Sequence, residues 1–318
     1  MKLTEFAGLD AKMEQLMRSA QAGRIVHALL FTGPHGTGKQ TMAELFARAV
    51  LCRSAGEKRP CDACDSCKKC INGNHPDVHY LAPEKNAIKV DAIRELNRDM
   101  GLASYEGGRK IAIIRRADCM NENAQNALLK TLENPTGDAL FFLLTESPGA
   151  LLPTIVSRCL EVRFRCLKVE DCAKVLEKRG VDRDRARLLS ALAQGSVGRA
   201  LEIDADGDYL PLRRRVLEAF ESLRGPQDIA LATAKIGDVK GREDAVLEIL
   251  ELWARDLMQV QNGAQPFEIE DMDSLRASKY SGRALLRGVI DARKRLSTNL
   301  SWVNVLESMD FALVRGIG

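Results

Sequence analysis

The sequence has few aromatic residues, no long apolar run and no excess of one charge. Phenylalanine, tyrosine and tryptophan make up 5% of its 318 residues, and no segment reaches the roughly 18 consecutive apolar residues of a membrane-spanning helix. Basic and acidic residues number 47 and 44, whereas a dedicated DNA-binding protein usually has a marked basic excess. The first residues lack the apolar core of a signal peptide. We therefore expect a cytoplasmic protein without membrane contact.

Short apolar runs alternate with helical periodicity in the first half of the chain. The runs predicted to be buried strands are residues 28–32, 78–81, 111–114 and 140–144. This alternation predicts an α/β fold with a parallel, three-layer sheet. After about residue 166 the pattern is helical, and a polar break at residues 204–208 predicts a linker.

Residues 33–39 read GPHGTGK and fit the phosphate-loop pattern G-x-x-x-x-G-K between a predicted strand and helix. Glycines let backbone N–H groups face a phosphate, and Lys39 is expected to reach the β- and γ-phosphates. The next residue should be a Ser or Thr that binds magnesium, but it is Gln40, an amide and a poor substitute. The predicted nucleotide ligands in this segment are Gly33, Gly36, Gly38, Lys39, Gln40 and Thr41. A purely structural glycine turn is the alternative.

The acids of a hydrolysing site are missing from the second core strand. In such enzymes that strand ends in acids that hold magnesium and activate water, whereas residues 111–114 are followed by Arg115 and Arg116. Guanidinium groups repel magnesium and cannot act as a base near neutral pH. Asp118 comes about three positions too late to replace the acids. We expect ATP or ADP binding without intrinsic ATPase activity, and poor retention of magnesium.

Five of the nine cysteines are clustered in one segment. The spacing C-x8-C-x2-C-x2-C is formed by Cys52, Cys61, Cys64 and Cys67. Two C-x2-C steps and a fourth thiolate predict a closed, structural zinc site. Cys70 continues the spacing and is a fifth candidate ligand, while His75 and His79 are nearby but fit structural or surface roles better. An iron–sulfur cluster is the main alternative to zinc.

Several motifs together resemble clamp-loader subunits of the AAA+ class. Besides the phosphate loop and the cysteine spacing, they are HALLFTGP at 27–34, NALLKTLENP at 126–135, Ser157-Arg158-Cys159 and GSVGRA at 195–200. The resemblance covers roughly residues 20–205. It implies a P-loop (AAA+) domain at residues 1–166 with a zinc module at about 52–70. A small helical lid at 167–206 and an all-α oligomerisation collar at 207–318 are implied to follow.

The same resemblance implies roles for three further residues. Arg158 would be an arginine finger that acts in trans on a neighbouring subunit's ATP, Thr145 would take the sensor 1 position and Arg199 the sensor 2 position. A degenerate hydrolysis site is typical of the family's stator subunits rather than of its motors. The implied partners are the motor (gamma/tau) and delta subunits of a hetero-oligomeric ring, a sliding clamp and primed DNA. Loading that clamp serves the bacterial replicative DNA polymerase.

Two other functions stay open. One is an active motor ATPase of the same family, in which Arg115 and Arg116 do not occupy the acid positions. The other is a zinc-containing DNA-binding module with a vestigial nucleotide site, although the charges around the cysteines are mixed rather than basic. ATP turnover by the isolated chain would indicate the first, and salt-dependent DNA binding the second.

Overall fold

A computed structural model describes residues 11–315 apart from 23, 55–58, 136, 265, 267–274, 277, 279–280, 297 and 299. The chain divides into two units. One comprises Met1–Val175 with Ser196–Gly198, and the other Leu176–Gly195 with Arg199–Gly318. The domain boundaries inferred from the sequence stay predictions.

Five parallel strands form the sheet of the first unit. They are β1 Ala28–Thr32, β2 Val78–Leu81, β3 Lys110–Ile114, β4 Ala139–Thr145 and β5 Leu160–Arg163. Their order across the sheet is β2-β3-β4-β1-β5, and all pairs are parallel. The predicted parallel sheet is confirmed, with β5 as a strand that the sequence pattern did not indicate.

Helices pack on both faces of this sheet because alternate strand residues point to opposite sides. On one side Leu29 and Phe31 join a core with Phe46, and on the other Leu30 packs with Leu128. The described helices that begin within Met1–Val175 are α1 Ala11–Gln21, α2 Lys39–Leu51, α3 Asp65–Ile71, α4 Val90–Gly101, α5 Glu122–Glu133, α6 Pro153–Val156 and α7 Val169–Glu177. The two cores confirm the three-layer arrangement.

The described residues of the second unit form helices joined by turns and loops. Its helices are α8 Arg183–Leu192, α9 Val197–Ala205, α10 Tyr209–Ser222, α11 Ile229–Ile236, α12 Glu243–Gln261, α13 Gly282–Leu296 and α14 Trp302–Arg315, of which α9 begins in the first unit. Inside this unit Trp302 donates from Nε1 to the carbonyl of Ile236 at 2.9 Å, which joins α14 to α11. Among the described helices, none has the length and apolar character that crossing a membrane requires.

Candidate nucleotide site and cysteine cluster

The phosphate loop connects the buried strand β1 to α2. All three of its motif glycines have positive φ, at 143° for Gly33, 72° for Gly36 and 89° for Gly38, a region that side chains disfavour. The N–H of Gly33 donates to the carbonyl of Thr145 at 3.2 Å, so the loop starts beside the end of β4. A β-carbon on Gly33 would lie 2.2 Å from the carbonyl oxygen of Phe164. The loop geometry therefore requires glycine at this position.

Lys39 is the first residue of α2, and its ammonium group lies against its own loop. Nζ donates to the carbonyls of Gly33 at 2.6 Å and Pro34 at 2.7 Å. Burial lowers the pKa of Lys39, and the carboxylates of Glu146 and Asp118 oppose that shift. The lysine thus sits in a small electrostatic cluster of one cation and two acids at the carboxyl edge of the sheet.

Gln40 and Arg115, the two residues predicted to depart from a hydrolysing site, both contact the same carboxylate. The side-chain amide of Gln40 donates to Oε1 of Glu44 at 2.7 Å, one helical turn further along α2. A guanidinium nitrogen of Arg115 lies 3.9 Å from the same oxygen. The Arg115 guanidinium also lies over the ring of Tyr80, 5.2 Å from its centroid. The amide, carboxylate and guanidinium form one charge-balanced chain between α2 and the end of β3.

Asp118 reaches the end of β4, where the sensor 1 residue was predicted. Between β3 and Asp118 the backbone turns sharply at Arg116, whose φ is 47° and whose guanidinium bonds to Asn86 at 3.3 Å. The Oδ1 atom of Asp118 then accepts a hydrogen bond from the Thr145 hydroxyl at 2.7 Å. The Asp118 carboxylate therefore lies within the candidate nucleotide site despite its late position in the sequence.

A distant segment of the chain is hydrogen-bonded to the phosphate loop. The Ser196 hydroxyl donates to the carbonyl of His35 at 2.7 Å, and the N–H of Gly198 donates to the carbonyl of Gly36 at 2.8 Å. A β-carbon on Gly198 would meet the Gly36 α-carbon at 2.6 Å, so only glycine allows the approach. Ser196 and the start of α9 are therefore hydrogen-bonded to the phosphate loop, a contact that the sequence did not indicate. Thr41 is exposed on the first turn of α2.

Arg199, the predicted sensor 2 residue, is bound by acids of the second unit. Its Nε and Nη2 atoms lie 3.0 Å and 2.5 Å from the two carboxylate oxygens of Glu248, and Nη1 lies 3.4 Å from Glu202. The guanidinium also covers the ring of Tyr209 at 5.4 Å. The bidentate geometry with Glu248 is the strong form of an arginine–carboxylate pair.

Arg158, the predicted arginine finger, has partners on two helices of the first unit. Its Nη2 atom lies 2.6 Å from Oε1 of Glu133, the last residue of α5. Its Nη1 atom donates to the carbonyl of Thr154 in α6 at 3.0 Å. Its side chain is 35% exposed, so the guanidinium is both anchored and open to solvent.

The four predicted zinc ligands are brought together. The sulfur atoms of Cys52, Cys61, Cys64 and Cys67 all lie within 4.8 Å of one another. A tetrahedral site with zinc–sulfur bonds of about 2.3 Å separates its sulfurs by about 3.8 Å. The donor set and spacing therefore fit a metal ion such as zinc. Residues 55–58, inside the predicted zinc module, lie outside the described residues.

Backbone amides support these thiols. The N–H groups of Ser54, Cys64 and Cys67 donate to the sulfurs of Cys52, Cys61 and Cys64 at 3.4, 3.3 and 3.5 Å. Hydrogen bonds, the largest contribution coming from Ser54, lower the pKa of Cys61 to about 6. Such donors stabilise thiolates, the form in which cysteine binds a metal.

The other candidate ligands of the sequence have different surroundings. Cys70 lies outside the four-sulfur group, and burial raises its pKa. His75 is buried, with Nδ1 accepting from the Asp77 N–H at 3.1 Å and Nε2 lying 3.1 Å from the Ser66 hydroxyl. His79 lies 3.8 Å from an Asp99 carboxylate oxygen. These contacts describe structural positions rather than metal ligands.

Comparison with known proteins agrees with these motifs. A family model described as "DNA polymerase III, delta subunit" matches residues 8–168. The DNA polymerase III subunit delta' of Bacillus subtilis (strain 168) is 31% identical over 316 residues, which cover 96% of this chain and 95% of the relative. The subunit delta' of Escherichia coli (strain K12) is 36% identical over 216 residues, 67% of this chain and 64% of that one.

A relative that carries a different subunit name is also similar. The DNA polymerase III subunit tau of Escherichia coli (strain K12) is 31% identical over 242 residues, 73% of this chain and 38% of that one. The tau relative is matched over only part of its length, whereas the Bacillus subtilis delta' relative is matched almost end to end. The chain belongs to the delta-prime family of DNA polymerase III clamp-loader subunits.

Proposed function

We propose that this chain is a non-hydrolysing stator of an AAA+ clamp loader, which completes a neighbouring motor subunit's ATP site with Arg158. The ring would contain gamma/tau motor subunits and a delta subunit, and would load a sliding clamp onto primed DNA. The chain would contribute a degenerate nucleotide site, a small helical lid and a helical collar for assembly.

The observation that carries the proposal is the Gln40–Glu44–Arg115 chain. A hydrolysing phosphate-loop enzyme needs a hydroxyl and an acid that face each other across the magnesium ion. Here the corresponding positions hold an amide and a guanidinium, and Glu44 already balances their charge. A second cation at this place would be repelled by Arg115. This arrangement supports nucleotide binding by the phosphate loop without hydrolysis.

The role of Arg158 rests on its exposure and on the family. A guanidinium supplied from outside stabilises the charge that develops on a transferred phosphoryl group. Arg158 presents such a group at the surface of the first unit, in the Ser157-Arg158-Cys159 motif. The cysteine cluster is assigned a structural part, since four thiolates leave no open coordination position for chemistry.

An active ATPase is the second candidate, and Asp118 is the observation in its favour. Its carboxylate accepts a hydrogen bond from Thr145, and its charge acts to raise the pKa of Lys39. In an active site, Asp118 would therefore be the acid that holds magnesium. In that case the isolated chain would hydrolyse ATP, and Asp118→Asn would abolish the activity. The guanidinium of Arg115, which directly follows β3, would repel a magnesium ion, and this argues against the alternative.

The test is ATP turnover by the chain alone, and then in a ring with motor and delta subunits, sliding clamp and primed DNA. The motor subunits should carry alanine at their own finger arginine, so that only the site facing this chain keeps a finger. We expect no turnover by the chain alone, and turnover in the ring that Arg158→Ala lowers at least about 100-fold. Turnover by the isolated chain, or a ring indifferent to Arg158→Ala, would contradict the proposal.

A further inference from the structure

The pairing of Arg158 with Glu133 gives the proposed finger a fixed starting geometry. An arginine side chain has several rotatable bonds and loses rotamer entropy when it is immobilised. Three contacts restrict Arg158 before any partner arrives: a charge-assisted bond to Glu133 at 2.6 Å, a bond to the Thr154 carbonyl at 3.0 Å and a longer bond to the Ser157 hydroxyl oxygen at 3.5 Å. They use three of the five N–H groups of the guanidinium, two on Nη1 and one on Nη2. Donors remain for an anion on the exposed side.

The position of Glu133 follows from the local sequence. Pro135 disfavours helical backbone at the residue before it, and Asn134 accordingly leaves the helix with φ −131° and ψ 73°. Glu133 is therefore the last residue of α5. Its side chain is 39% exposed and lies beside Arg158 rather than in the core.

The same helix also fixes the segment that carries Arg158. Gln125, buried two turns before Glu133, accepts a hydrogen bond from the Leu152 N–H at 2.7 Å and donates to the Ala150 carbonyl at 3.1 Å. Leu152 directly precedes α6, and Arg158 follows α6 by two residues. Helix α5 therefore holds both the backbone that leads into α6, through Gln125, and the side chain of Arg158, through Glu133.

We propose that Glu133 is a positioning residue for Arg158, whose carboxylate holds the guanidinium in the orientation that a neighbouring subunit's triphosphate requires. The inference rests on the proposed function of Arg158 as a finger. Glu133 acts through Arg158 and has no contact with the nucleotide of its own. Its removal lowers the turnover rate, because the finger then has to be ordered during the reaction.

The experiment compares Glu133→Gln with wild type in the ring whose motor subunits lack their own finger. Glutamine keeps the shape of the side chain and removes its charge. We expect turnover at saturating ATP to fall about 5- to 20-fold, with KM for ATP changed less than about twofold. Glu122→Gln, which removes an exposed carboxylate at the other end of α5, should leave turnover unchanged. Glu133→Asp, which keeps the charge on a shorter side chain, should lose less than Glu133→Gln.

A double variant separates positioning from a general effect on the fold or on assembly. In an Arg158→Ala background, Glu133→Gln should cause no further loss, since the two residues act through one interaction. A loss seen only as weaker assembly, and absent when this chain is saturating, would overturn the inference. The inference would also be overturned if Glu133→Gln left turnover equal or faster although Arg158→Ala reduced it. If Arg158→Ala itself had no effect, the proposed function would fail instead.

Discussion

The side-chain amide of Gln40 and the guanidinium of Arg115 converge on one oxygen of Glu44, at 2.7 Å and 3.9 Å. The two residues come from different elements, the first turn of α2 and the end of β3. Their shared partner makes the two sequence departures a single structural feature.

This feature predicts that ATP binding is insensitive to magnesium. Calorimetric titration of wild type with ATP should give dissociation constants that differ less than about threefold between magnesium and EDTA. The double change Gln40→Thr with Arg115→Asp restores a hydroxyl and an acid, and should make ATP bind at least about tenfold more tightly with magnesium than without. The matched control replaces the exposed neighbour, Gln40→Thr with Arg116→Asp, and should not gain this dependence. A strong magnesium effect in wild type would contradict the prediction.

Loss of metal should destabilise the first unit. The proposed metal ion cross-links residues 52–67 through the four cysteines, and prolonged chelation or Cys64→Ser would remove this cross-link. We therefore expect the Tm to fall by about 10 °C. Metal analysis should find one zinc per chain in wild type. Cys70→Ser is the matched control, since Cys70 lies outside the four-sulfur group, and it should keep both zinc and the Tm. An unchanged melt after verified zinc removal would exclude a structural metal.

Stability should fall as the pH rises from 4 to 7 because of Asp310. This residue of α14 is fully buried, its Oδ2 accepts from the Thr233 hydroxyl at 3.3 Å, and its Oδ1 has no hydrogen-bond partner among the described residues. Burial raises its pKa to about 7, whereas an unfolded chain loses the proton near pH 4. Between these values the folded state holds a proton that the unfolded state has released, so the free energy of unfolding decreases with pH. The loss is at most about 4 kcal/mol and is complete above the folded pKa.

Asp310→Asn should remove this pH dependence. The amide keeps the shape and an acceptor for Thr233 without a charge to desolvate. Urea unfolding at pH 5 and pH 8 should show a smaller difference for the variant, and a gain over wild type at pH 8. The exposed Asp291 of α13 provides the control Asp291→Asn, which should keep the wild-type difference. Equal pH profiles for wild type and Asp310→Asn would show that another group is responsible.

Gly198→Ala should disrupt the contact between α9 and the phosphate loop, although alanine is the better helix former. Helix propensity alone favours the change by up to about 1 kcal/mol, but the added carbon would lie 2.6 Å from the Gly36 α-carbon. We expect a net loss of about 1–3 kcal/mol of stability and weaker ATP binding. Gly149→Ala adds the same carbon in open space and should alter neither. A stabilised Gly198→Ala variant would mean that the close approach is not maintained in solution.

The parts of the fold with a strong local signal could be predicted from the sequence. Buried strands β1, β3 and β4 are unbroken apolar runs, and their helices show clear periodicity. Strand β5 was missed because two of its four residues are the charged Glu161 and Arg163, so it does not form an apolar run. The four-cysteine cluster was predictable from spacing because three of its members lie within seven residues.

The contacts that support the candidate site were harder to predict from the sequence. Glu44 lies four residues after Gln40 on one helix, so that pair is a local pattern open to prediction, but its approach to Arg115 depends on how α2 packs against the sheet. Arg199 and Glu248 are separated by 49 positions, and nothing in either segment indicates the other. Pairings of this kind are set by tertiary packing, which a single sequence does not encode in any local pattern.

The bonds from Ser196 and Gly198 to the phosphate loop also have a consequence for biosynthesis. The loop motif ends at Lys39, yet its last hydrogen bonds come from residues 161 positions or more further along the chain. At roughly 5–20 residues per second, the ribosome needs on the order of ten to thirty seconds to deliver them. During that interval the phosphate loop of the nascent chain lacks these two hydrogen bonds, so the proposed nucleotide site has not reached its final geometry.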